Sequence, residues 1–254
     1  MNSKISILRN IQNKKSGGFI LSDKIDDTVA IVKKDNKHKY INQSQSSHIS
    51  EMEIDNEKYL IEPFIPVKQE RFIGLTTAES GEGKTLILSI LADQYLKYYK
   101  NQRHVYYVCS TSIKEDINLK NMNIKQLDIE RIKNGSLKIE NLRNSLVIID
   151  DADFHEDHKV IIRWMNDIVT LGRKFQTSLL YSSHIHSKLS ESPIYKEISF
   201  YITFPNALIN NRMIENNLKI SEHIIQELIE GKNSFICFNK IYKSIVTDRI
   251  IMKY

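Results

Sequence analysis

"AESGEGKTLILSI", residues 78–90, sets a glycine-rich loop ending in lysine and threonine directly against an apolar run. A loop that cradles phosphate needs backbone N–H groups converging at the start of a helix, and glycine lets the chain take that shape. The consensus for such loops is G-x-x-x-x-G-K-[ST]. Here Gly83, Lys84 and Thr85 match its last three positions, while Ala78 stands where the first glycine belongs. One added methyl group is tolerated there provided the position needs no positive φ. The flanks agree with the motif: "RFIGLTT" (71–77) reads as a strand and residues 84–99 as a helix apolar on several faces. A chance glycine turn carrying GKT has no need of both. The nucleotide-binding candidates are therefore Glu79, Ser80, Gly81, Glu82, Gly83, Lys84, Thr85 and Leu86. Lys84 is expected to reach the β- and γ-phosphates of the nucleotide, and the Thr85 hydroxyl to ligate Mg²⁺.

Outward from the loop, strands and helices alternate. "HVYYVCS" (104–110) is rich in β-branched and aromatic residues, and "SLVIIDDAD" (145–153) is continuously apolar up to its acidic end. A helix is expected from about Glu156 to Arg173, with Val160, Ile161, Trp164, Ile168 and Leu171 at helical spacing. "TSLLYSS" (177–183), "ISFYITF" (198–204), "NSFICFN" and "KSIVTDRIIMK" follow as strands. This alternation predicts an α/β fold with a mainly parallel sheet and crossover helices.

Residues 1–65 differ from the rest. "GGFILSD" and "DTVAIVKK" suggest a hairpin, residues 42–57 read as a polar loop, and "KYLIEPFIPV" stays extended because of its prolines. The expected division is a small β-rich or partly flexible region, 1–65, and a P-loop ATPase domain, 66–254.

The end of "LVIIDD" places Asp150 at the C-terminal edge of a strand, where α/β sheets bind ligands. A carboxylate there would hold Mg²⁺-bound water or the Thr85 hydroxyl. Asp151 is the candidate to orient or deprotonate the attacking water. The bland alternative for Asp151 is a loop or helix-capping aspartate.

Composition narrows the classes. A chain of 254 residues, 41% hydrophobic and 26% charged, can bury a full α/β core. Its net charge of +5 is compatible with a polyanionic partner, and equally with a lysine-rich solvated surface. Cys109 and Cys237 lie in apolar runs without metal-ligand spacing, so they read as small buried hydrophobes in a reducing, intracellular compartment. No run is long enough to span a bilayer, and the N-terminus lacks the apolar core of a signal peptide. A guanine-nucleotide switch would require Asn-Lys-x-Asp, but the near match "NKIY" (239–242) ends in Tyr242. A small-molecule kinase would want an arginine-dense lid after Asp150, which is not there. What remains is a remodelling or translocating ATPase.

With the loop and the double aspartate in place, the stretch from Ser145 to Pro205 resembles the poxvirus-type virion DNA-packaging ATPases of large DNA viruses, within the FtsK–HerA superfamily. The features that carry the resemblance continue with a helix ending in "LGRKFQTS", an apolar strand with a polar tip, and a strand of the "ISFYITF" kind. It implies a three-layer, RecA-like P-loop NTPase that hydrolyses ATP with Mg²⁺. It also implies a homo-oligomeric ring, non-specific contact with double-stranded DNA, capsid or portal-like vertex proteins as partners, and residence in the infected host cytoplasm or the virion. Arg173 falls where the family carries an arginine finger reaching a neighbour's γ-phosphate; the alternative is a cation favoured at a helix C-terminus. His184 falls where the family usually carries a γ-phosphate-sensing glutamine, a departure from the pattern. The function this implies is a motor packaging viral DNA. The alternative is a non-translocating P-loop ATPase acting as a regulatory or partner-binding switch.

Overall fold

The computed structural model describes residues 71–99, 102–109, 112–114, 116–184, 193–208, 218–231, 235–241, 244–247 and 251–253. Before them it describes the backbone of six strands: β1 (Lys4–Asn10), β2 (Ser16–Ser22), β3 (Thr28–Lys34), β4 (Lys37–Asn42), β5 (Glu51–Ile54) and β6 (Glu57–Pro63).

The expected strands and helices appear within a few residues of where the periodicity put them. Strand β7 (Ile73–Thr77) leads into helix α1 (Lys84–Tyr98), followed by β8 (His104–Val108) and the short β9 (Ile124–Gln126). After helix α2 (Ile129–Lys133) come β10 (Ser145–Ile149), α3 (His158–Phe175) and β11 (Ser178–Ser183). The chain closes through α4 (Ile194–Glu197), β12 (Phe200–Thr203), α5 (Pro205–Leu208), α6 (Glu222–Glu230), β13 (Ile236–Asn239), β14 (Ser244–Thr247) and β15 (Ile251–Lys253).

The large sheet runs β4-β3-β15-β14-β13-β12-β7-β11-β10-β8-β9. From β12 to β9 every neighbouring pair is parallel, whereas β12–β13, β13–β14 and β14–β15 are antiparallel. This is the mainly parallel α/β architecture expected. Alternation along the central strands divides the core into two faces. Leu146, Ile148 and Leu180 pack with Leu88, Leu91 and Tyr95 of α1. Val147, Ile149, Leu179 and Tyr181 pack with Ile161, Trp164, Met165 and Ile168 of α3. A strand covered on both sides has no use for alternating polarity, which explains the continuous apolar runs. The result is three layers.

Three expectations require correction. "GGFILSD" and "DTVAIVKK" are both strands but do not form a hairpin together: β2 pairs with β1, and β3 with β4. β-Propensity marks each run, while the choice of partner depends on cross-strand packing that neither run encodes alone. Within the polar stretch 42–57, Glu51–Ile54 is strand β5, antiparallel to β6; residues 43–50 lie outside those described. Leu171 of α3 is 44% exposed, because the buried stripe turns instead onto Met165, Val169 and Gly172. Arg71 occupies this end of the helix, its Nη2 donating to Ile168 O (2.9 Å) and Val169 O (2.6 Å) and its Nε to Thr177 O (2.9 Å). Cys237 is buried and Cys109 half-buried. Among the described residues no helix is long and apolar enough to cross a membrane.

Candidate nucleotide-phosphate site

The loop between β7 and α1 takes the conformation its glycines permit. Gly81 (φ 85°) and Gly83 (φ 99°) are left-handed, while Ala78 is not among the residues with positive φ. Ala78 is also buried, its N–H directed to Ser183 O at 3.4 Å. The replacement of the first glycine is thereby accounted for: its φ is one that alanine adopts freely. Gly83 caps α1, whose N-terminal amides carry the positive end of the helix dipole into the loop. The loop amide of Glu79 already holds an anionic oxygen, Glu82 Oε2, at 3.0 Å, and Asn206 Nδ2 donates to Glu82 Oε1 at 2.9 Å. Glu79, Ser80, Gly81 and Leu86 are exposed.

Lys84 is buried, with 6% exposure. Its ammonium donates to Ala78 O (3.1 Å) and Glu79 O (3.0 Å) and contacts His184 Nδ1 at 3.1 Å. Burial lowers its pKa below the usual lysine value, opposed by Asp151, Asp150, Glu82 and Asp153 in that order. Thr85 Oγ1 donates to Asp150 Oδ2 at 2.9 Å. Asp150 is almost fully buried yet well supplied with donors: Tyr107 OH reaches Oδ2 at 2.6 Å and Ser182 Oγ reaches Oδ1. Burial, then the Asp150 charge, drives the Tyr107 phenol far above its normal pKa, so it remains a donor at every physiological pH.

Asp151 stands in a left-handed conformation (φ 52°) and begins the 3-10 turn Ala152–Phe154 without a side-chain cap. A capping role is thus not what its carboxylate performs. Asp151 Oδ1 instead lies 2.8 Å from His184 Nε2. Its pKa is raised by burial and next by the Asp150 charge, against the opposing pull of His184 and Lys84. Arg173 is exposed in the last turn of α3. Because α3 starts just past Asp151 and returns to the foot of β11, Arg173 sits at the edge of the sheet away from its own loop. Its 18 residues span roughly 27 Å at 1.5 Å per residue.

Three residues of this site went unread in the sequence: Tyr107, Ser182 and Asp153. Asp153 accepts from Tyr181 OH (2.9 Å), Ser183 Oγ (2.5 Å) and His184 N (3.0 Å). The signal available was the run of acids "DDAD" facing polar strand tips in "YYVCS" and "LLYSSH".

The residues present fit a metal–triphosphate. The Thr85 hydroxyl and Asp150 carboxylate are hard oxygen donors side by side, as Mg²⁺ prefers, beside a lysine and a loop amide that holds an anionic oxygen. Among the described residues no cluster of three or more His, Cys, Asp or Glu forms an all-protein metal cage. Such an arrangement accords with a metal held largely by phosphate and water.

Comparison with solved structures bears on the fold. B204, the DNA-packaging ATPase of Sulfolobus turreted icosahedral virus, superposes with a TM-score of 0.50 at 17% identity, over 73% of this chain and all of that one. The chain has the fold of a genome-packaging ATPase. The resemblance drawn from the sequence is met at the level of the fold. B204 of Sulfolobus turreted icosahedral virus 2, in complex with ATP-gammaS, matches over the same 73% of this chain and all of its own, at 16% identity and TM-score 0.47. The pCW3 conjugation coupling protein TcpA matches over 95% of this chain and 85% of its own, at 10% identity and TM-score 0.44. No family model matches the sequence, and no curated protein does.

Proposed function

We propose that this protein is an ATP-hydrolysing motor that moves double-stranded DNA, and that its task is packaging a viral genome into a capsid. The observation that carries the ATPase reading is the meeting of Lys84, Thr85 and Asp150 at the mouth of a glycine loop. The packaging reading is supported by a fold shared with the B204 DNA-packaging ATPase.

In this reading Lys84 and the loop amides of residues 79–86 bind the β- and γ-phosphates. Thr85 and Asp150 would hold Mg²⁺, which supplies charge neutralisation between the phosphates when bound. Asp151 orients the attacking water, and His184 sits between that carboxylate and Lys84. Arg173 is too far along α3 to serve its own loop. A role at the γ-phosphate therefore requires a neighbouring subunit, in a ring where each site is completed by the next chain. Such a finger contributes about 10³–10⁵ in rate. Residues 66–254 would form the motor, and 1–65 its appendage. DNA contact would be largely to phosphate, hence indifferent to sequence and weakened by salt.

The test is turnover with and without double-stranded DNA at low salt. Stimulation by DNA that fades as salt rises is the expected result. A DNA-indifferent, strictly monomeric enzyme would instead be the non-translocating switch. Mixing Arg173→Ala with Lys84→Ala subunits tests the shared site: each is inactive alone, and activity returns in the mixture only if sites are built from two chains.

A further inference from the structure

We infer that Asp153 is a positioning residue for His184, holding its ring between Lys84 and Asp151 with Nδ1 as the acceptor and the proton on Nε2. The inference rests on the ATPase reading for its catalytic consequence but not for its geometry.

A lysine ammonium has donors and no acceptor. With Lys84 Nζ at 3.1 Å from His184 Nδ1, that nitrogen must be the acceptor, so the ring carries its single proton on Nε2. Nε2 is the nitrogen facing Asp151 Oδ1 at 2.8 Å. The imidazole therefore accepts from the phosphate-binding lysine on one side and sets Nε2 at 2.8 Å from Asp151 Oδ1 on the other, within ion-pair distance but out of hydrogen-bond alignment. A doubly protonated ring would set N–H against the ammonium.

This bridge requires His184 to be held at one height and one angle past the end of β11. Asp153 does that. One oxygen takes the Tyr181 hydroxyl at 2.9 Å; the other takes Ser183 Oγ at 2.5 Å and the His184 backbone N–H at 3.0 Å. Three donors, from Tyr181, Ser183 and His184 at the strand tip, thus converge on one carboxylate from the turn after β10. Among the described residues, Lys84 of α1 faces Nδ1 of the ring and Asp151 of the β10 turn faces Nε2, while Asp153 takes the backbone N–H. Asp153 does not touch the phosphate-binding groups itself; it acts through the histidine.

The experiment is ¹⁵N NMR of histidine-labelled, full-length, nucleotide-free protein at about pH 8, where a free imidazole is neutral, alongside steady-state ATPase kinetics. In the wild type, His184 is expected to show an unprotonated Nδ1 and a protonated Nε2; the opposite tautomer overturns the inference, whatever the turnover. Asp153→Asn is expected to lose that single-tautomer signature and to lower kcat by about 10²-fold through misplacement of the ring, with KM for ATP little altered. Asp153→Glu is expected to recover part of kcat. An Asp153→Asn protein that keeps both the tautomer and kcat also overturns it. Should Asp153→Asn fail to fold, the wild-type tautomer and the kcat of the Ser183→Ala, Tyr181→Phe double variant decide: an unchanged kcat in the latter counts against the role. Absence of ATPase activity in the wild type would remove the proposed function and leave the tautomer assignment standing.

Discussion

Thr85 Oγ1 donates to Asp150 Oδ2 at 2.9 Å, joining the first turn of α1 to the end of β10, 65 residues further along the chain. The same oxygen takes the Tyr107 phenol at 2.6 Å, and the other oxygen takes Ser182. The start of α1 and the ends of β8 and β11 are therefore tied to the single carboxylate that follows β10, at the spot where a metal would sit.

Removing one of those ties is expected to loosen the carboxylate without emptying the site. Tyr107→Phe deletes a buried hydrogen bond to a charged group, worth about 1.5–3 kcal/mol. It should lower the urea midpoint while ATP binding survives, and raise the Mg²⁺ concentration needed for half-maximal turnover. An unaltered Mg²⁺ dependence would show that the phenol is merely packing.

Asp151 provides a pH signature. Burial raises its folded-state pKa above the ordinary aspartate value, so ionisation is less favourable in the folded chain than in the unfolded one. The stability it contributes is intact below the unfolded pKa and declines as pH rises through the folded value. Asp151→Asn removes that penalty. At neutral pH the variant is expected to unfold at higher urea than the wild type, the gap closing below about pH 4. Its ATPase activity should fall even as its stability rises, a separation that two-dimensional urea and turnover measurements would expose.

Gly74 of β7 stands in register between Phe200 of β12 and Leu180 of β11. A Cβ there would come within 2.4 Å of the Phe200 ring and 2.6 Å of Leu180 Cδ2. Gly74→Ala is expected to cost about 1–3 kcal/mol by overpacking. Equilibrium denaturation checks this, and a neutral outcome would mean the ring can step aside.

Arg71 caps a different region. Its guanidinium supplies Ile168 O, Val169 O and Thr177 O at the end of α3 that carries Arg173. Burial lowers its pKa, countered by Glu197, with Arg173 lowering it further. Arg71→Met leaves those carbonyls without the donor, at about 1–3 kcal/mol. Hydrogen exchange at the C-terminal turn of α3 should accelerate more than exchange in α1.

Much of the site was legible because its parts are local. Gly81, Gly83, Lys84 and Thr85 form one contiguous stretch whose backbone demands are met by residue type alone, and their φ values are those the glycines allow. Asp150 was legible as the first charge after four apolar strand residues. Tyr107 and Asp153 were not, because a tyrosine in a strand reads as packing and a third acid after a pair reads as a solvated turn. Their roles arise from what stands opposite.

By itself the sequence determined the alternation of strands and helices, the phosphate loop, and the buried runs of a two-sided sheet, since each follows from near-neighbour sterics and burial periodicity. Strand order was decided only in three dimensions. β11 enters the sheet between β7 and β10, and that insertion alone lifts Ser182, Ser183 and His184 into the gap between Lys84 and the acidic turn. No local pattern announces it, because the pairing partner of a strand is chosen by side chains distant along the chain, and the loop closures that join them leave no mark on composition.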